Sequence, residues 1–125
     1  MARILLVDDE AGLLSVMARY VETLGHDVRT ASSGREAMAL LEEGGVGVVV
    51  TDINMPDVDG LEILNSVRRS VGSIPVIAIS GGGLFGPEML LDSADMLGAA
   101  ATLEKPFELD ELRRVLDDVL GEPDA

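Results

Sequence analysis

A chain of 125 residues, 47% hydrophobic and 26% charged, has the length for one well-buried core and leaves no room for a second domain. Its net charge of −14 argues against direct binding to nucleic acid or to an anionic membrane, and the absence of cysteine excludes disulfides and thiolate metal sites. The opening MARILLVDDE holds too short an apolar stretch for a signal peptide or a membrane span, so a cytoplasmic location is expected.

Apolar runs alternate with segments of helical period, five times over. Ile4-Leu5-Leu6-Val7 predicts a first strand near 3–8 and runs into Asp8-Asp9. Leu14, Met17, Val21 and Leu24 form one stripe of a helix over 12–24, and Gly25 supplies a left-handed stop. His26, beside that glycine, reads as a surface loop residue. The 27–31 run alternates in polarity and predicts an edge strand. Ser33 and Glu36 have capping-box spacing for a helix over 34–43, marked by Ala37, Leu40 and Leu41 and stopped at Gly44.

The 47–52 run is nearly continuous in apolar residues, as in a strand covered on both faces, and ends on Asp52. Asn54-Met55-Pro56-Asp57 is a turn, and Asp59 with Glu62 caps a helix over 59–71 that carries Arg68-Arg69 on a solvated face and stops at Gly72. A second continuous run, 75–80, ends on Ser80. Gly81-Gly82-Gly83 then lacks the lysine and spacing of a phosphate cradle and reads as a mobile loop. Pro87 suits the first turn of a helix over 87–97, stopped at Gly98. The last strand, 100–103, leads through Glu104 to Lys105-Pro106-Phe107. A helix over 108–120 follows, with Leu109, Leu112, Leu116 and Val119 on one stripe, Arg113-Arg114 solvated and Gly121 as its stop. Residues 1–121 make one domain, and 122–125 read as a frayed tail.

Five β–α units without a linker predict a doubly wound α/β fold with a five-stranded parallel sheet. In such a sheet ligands bind at the carboxyl edge, where Asp8, Asp9, Asp52, Ser80 and Lys105 would converge. Each of the acids alone has a bland role as a helix cap or turn residue. Adjacent anions repel, however, and three carboxylates stay ionised together most readily around a divalent cation. Asp8, Asp9, Asp52 and a backbone carbonyl just beyond suit magnesium, which takes few carboxylates and keeps several waters. Ser80 alone reads as an ordinary hydroxyl. Lys105 is the only lysine in a chain that otherwise uses arginine, and a compact ammonium there suits a phosphate oxygen. Pro106 allows a cis peptide that would turn Lys105 inward.

VDDE at 7–10, TDINMPDVDG at 51–60, Ser80 followed by a small residue, and KPF at 105–107, in that order, resemble a response-regulator receiver domain of two-component signalling, of the stand-alone type. The resemblance implies a flavodoxin-like (βα)5 fold with strand order 2-1-3-4-5. It implies that Asp52 accepts a phosphoryl group from a histidine kinase or a histidine phosphotransfer protein, in a Mg2+-dependent reaction for which Mn2+ can substitute, and loses it by hydrolysis. Asp9, Asp52 and the Asn54 backbone carbonyl would bind the ion directly, Asp8 mainly through water. Lys105, the Ser80 hydroxyl and the backbone N–H groups of Asn54 and Gly81 would hold phosphoryl oxygens. The chain would catalyse only its own phosphorylation and dephosphorylation, as a monomer or a phosphorylation-dependent dimer. A downstream protein would bind the face made by the fourth helix, fifth strand and fifth helix.

Two departures stand out. Thr102 occupies the position, three before the lysine, where receivers usually carry an aromatic switch residue, and the Ser80-to-Lys105 stretch is longer than usual. Read-out is therefore expected through Ser80, the 81–88 loop and the fourth helix. Competing classes are an Asp-nucleophile phosphatase, which would want an Asp-x-Asp motif after the first strand; a binding-only pseudo-receiver, which would lack a key residue; and a flavin-binding module, which would want a Ser/Thr-rich loop and aromatic stacking partners.

Overall fold

A computed structural model describes residues 3–52, 74–80 and 100–121. Strands β1 (Arg3–Val7), β2 (Asp27–Ala31), β3 (Val48–Asp52), β4 (Val76–Ser80) and β5 (Ala101–Glu104) form one sheet in the order β2-β1-β3-β4-β5. Every neighbouring pair is parallel. The described helices are α1 (Ala11–Thr23), α2 (Gly34–Glu43) and α3 (Leu109–Leu120), the last being the fifth in the predicted order. The helices expected over 59–71 and 87–97 lie outside the described residues. Among the described residues no helix is long and apolar enough to cross a membrane.

The sheet separates two apolar layers, because successive side chains of a strand point to opposite faces. Ile4 and Leu6 of β1 join Val48, Val50, Ile77 and Ile79 against Leu14, Met17 and Val21 of α1 and Leu112 and Leu116 of α3. Leu5, Val7, Val49 and Ala78 face the other way, toward Ala37 of α2, with Met38, Leu40 and Leu41 at the border. All five residues of β3 are buried, as its unbroken apolar run requires of a central strand, whereas β2 is mostly exposed at one edge.

Local chemistry sets the helix ends, and four residues depart from the expected pattern. Gly25 (φ +96°) and Gly121 (φ +69°) take the left-handed turn expected of a stop. Gly44 has φ +82° but ψ 176°, so it leaves α2 in an extended rather than a left-handed helical turn. Ser33 Oγ accepts from Glu36 N at 3.2 Å, one half of the expected box, but the Glu36 carboxylate turns to Ser32, accepting from its N and Oγ at 2.7 and 2.8 Å. That pair of bonds holds the Glu36 carboxyl below its usual range. His26 is not a surface residue: only 9% of it is exposed. The α1–β2 connection spans only Leu24 to His26, too short to lift the imidazole off the body of the fold. On α3, Arg114 is exposed, as expected, but Arg113 is half-buried and bridges Asp110 and Asp117.

Candidate functional site

Parallel strands bring all their carboxyl ends to one edge, and the register fixes which residues meet there. Val7 pairs with Thr51, which sets Asp8 beside Asp52. Asp52 pairs with Ile79 and Ser80 with Glu104, so Asp52 and Ser80 end their strands and Lys105 lies one residue beyond β5. The convergence expected of these residues is present for Asp8, Asp9, Asp52 and Lys105. Ser80 closes β4 on the same edge. Thr102 is half-buried within β5, opposite Ala78. Asn54 and Gly81 lie outside the described residues.

Asp8 is wholly buried and Asp52 only 4% exposed, whereas Asp9 faces solvent. One ammonium serves the cluster. Lys105 Nζ donates to Asp52 Oδ2 at 3.0 Å and to Glu10 Oε1 at 2.9 Å, and lies 3.1 Å from Asp8 Oδ2. The Lys105–Pro106 peptide is cis. Asp8 does not cap α1 with its side chain; Glu10 occupies the cap position, and its backbone N donates to Asp8 Oδ1 at 2.8 Å.

Burial pushes the Asp8 carboxyl above its usual range, against the opposing pull of the Glu10 backbone N–H and of Lys105. Burial alone would lower the Lys105 ammonium, but its hydrogen bonds to Glu10 and Asp52 and its close approach to Asp8 outweigh that and raise it, keeping it charged.

The donor set fits a hard divalent cation. One carboxylate oxygen from each of Asp8, Asp9 and Asp52 lies within 4.8 Å of the other two. Asp8 Oδ2 is buried and has no hydrogen-bond partner, its approach to Lys105 being an ion pair without hydrogen-bond alignment. Unsatisfied buried carboxylate oxygen is costly, and a cation relieves it. Together these groups can bind a divalent ion and present Asp52 as a nucleophile beside a fixed ammonium.

Glu10 is the contact that residue-by-residue reading missed. It stands in the VDDE motif, yet its partner is 95 residues away. The available signal was stoichiometric: four acids and one lysine on one sheet edge oblige the ammonium to be shared. An open cleft of about 390 Å³ lies beside that pair, lined by Glu10, Leu13, Lys105, Pro106 and Phe107.

Residues 4–117 match the family model of the response regulator receiver domain. The chain belongs to the response regulator receiver domain family. This receiver is 39% identical to the transcriptional regulatory protein TrcR of Mycobacterium tuberculosis, over 88% of its own length and 42% of the relative's. It is 32% identical to the transcriptional regulatory protein GlrR of Escherichia coli, over 95% of its own length and 26% of the relative's. The chain thus spans less than half the length of these relatives. Among solved structures, Vibrio cholerae chemotaxis protein CheY4 superposes with a TM-score of 0.84 at 30% identity, covering 95% of this chain and 98% of the other. The receiver domain of NtrX from Brucella abortus gives 0.85 at 32% identity, covering 96% and 99%. Receiver domains act as phosphoacceptor switches in two-component systems rather than as conventional enzymes, and they work with histidine kinases and downstream effectors.

Proposed function

We propose that Asp52 is the phosphoacceptor of a Mg2+-dependent signalling switch or relay protein. One observation carries this reading: at the end of the most buried strand, Asp52 shares one sheet edge with two further aspartates and with the chain's only lysine, 3.0 Å away. Transfer from a phosphohistidine needs positioning and charge neutralisation more than covalent machinery. An Asp52 carboxylate oxygen attacks phosphorus as the P–N bond of the donor breaks, and the imidazole leaves with the electron pair and takes up a proton. Lys105, already charged, holds a phosphoryl oxygen, with the Ser80 hydroxyl and the backbone N–H groups of Asn54 and Gly81 as further donors. Asp9, Asp52 and the Asn54 carbonyl, with Asp8 acting through water, would hold Mg2+, which would supply positive charge against the transferring oxygens. Mn2+ would serve in its place. Water later cleaves the acyl phosphate, and no separate general base is required.

The phosphorylated state would be read through Ser80, the 81–88 loop and the fourth helix, because Thr102 offers no aromatic rotamer. The partner would be a downstream protein on the face built from the fourth helix, β5 and α3. The location would be cytoplasmic. Amide exchange over 81–97 should slow when a phosphoryl mimic is added; unchanged protection there would remove this route. The acceptor role has its own test. Acetyl phosphate with Mg2+ should add one phosphoryl group to the protein by intact mass, and chelation of the metal or Asp52→Asn should abolish it. An adduct that survives Asp52→Asn would refute the assignment.

A further inference from the structure

Among the described residues, Glu10 is the one carboxylate bound to Lys105 that stands outside the three-aspartate cluster. Its side chain is 62% exposed, against 0% for Asp8 and 6% for Asp52, so it meets the ammonium from the solvent side. The position is backed by the chain: Glu10 N is fixed by Asp8 Oδ1, and its carbonyl starts α1 by accepting from Leu14 N at 2.9 Å. The glutamate therefore reaches across the mouth of the site from an anchored backbone.

Lys105 and a divalent cation compete for the same carboxylates. The ammonium sits on Asp8 Oδ2 and Asp52 Oδ2, and both residues supply the metal cluster. A cation placed there takes up those anions and repels Lys105. Among the described residues, Glu10 alone then keeps the ammonium from swinging into water on its flexible four-carbon stem.

We propose that Glu10 is a positioning residue that tethers Lys105 at the mouth of the site while the metal occupies the aspartates, so that the ammonium is in place to receive a phosphoryl oxygen. The tether deepens the phosphoacceptor reading and rests on it for its purpose. It does not require Glu10 to touch the phosphoryl group.

The single lysine makes the test direct, since the labelled chain has one side-chain ammonium to follow by nitrogen NMR. In the native sequence that signal should persist at saturating Mg2+, protected from exchange by Glu10. In Glu10→Gln it should persist without Mg2+, held by Asp8 and Asp52, and broaden away when Mg2+ is added. Phosphorylation of Glu10→Gln by acetyl phosphate at saturating Mg2+ should slow about tenfold, the scale of a lost positioning contact. The same ammonium behaviour in both proteins, whether kept or lost, would overturn the tether. A tether that behaves as expected in a chain that takes no phosphoryl group would instead overturn the phosphoacceptor reading alone, so the two failures are distinguishable.

Discussion

Lys105→Ala should move three measurements in different directions. Without metal, the variant should lose roughly 2–4 kcal/mol of stability, because Asp8, Asp52 and Glu10 lose their shared cation and Asp8 is left as an unpaired buried charge. The figure falls short of the cost for a fully buried pair because Glu10 is largely wetted. Its affinity for Mg2+ should rise about tenfold, since the metal no longer displaces an ammonium from two of its three carboxylates. Phosphorylation should nevertheless slow by about 100-fold, the usual loss on removing one donor to the transferring oxygens. Urea unfolding with and without Mg2+, calorimetric titration and single-turnover phosphorylation read the three effects. A variant that phosphorylates at the native rate would remove Lys105 from the chemistry.

Asp8→Asn should show the opposite trade. Burial disfavours the charged form of Asp8, and Asp8 Oδ2 has no hydrogen bond. A neutral isostere keeps the Oδ1 acceptor for Glu10 N and drops the buried charge. The metal-free protein should therefore gain on the order of 1 kcal/mol, the scale of an uncompensated buried polar group. Mg2+ affinity should fall about 10- to 100-fold, as for groups that hold a metal through its outer shell. The strain at Asp8 in the metal-free protein thus belongs to the site's readiness for a cation. Equal stability in the two proteins, with unchanged Mg2+ affinity, would show that Asp8 is merely a turn residue.

The sheet was legible because its signals are local and repeated. Each strand is a short apolar run, β3 so uniformly that only a central parallel strand fits, and β2 so polar that only an edge does. The strand ends then carried the site with them, because parallel pairing leaves Asp8, Asp52, Ser80 and Lys105 on the same edge. Contacts set by tertiary neighbours were not legible. Glu36 has the right spacing to cap Ser33, but its carboxylate finds two donors on Ser32 instead. His26 looked like a surface residue by its glycine neighbour, but the short connection holds it against the body of the fold. Glu10 looked like part of an acidic run until Lys105 was placed beside it.

The central claim is that Asp52, and not its acidic neighbours, carries the phosphoryl group. Acyl phosphates are reduced by borohydride, which converts the phosphorylated aspartate to homoserine and leaves free carboxylates untouched. After incubation with acetyl phosphate and Mg2+, reduction and fragmentation by tandem mass spectrometry, homoserine should be found at position 52 and at no other. Homoserine at position 8 or 9, or at none of the three, would contradict the account.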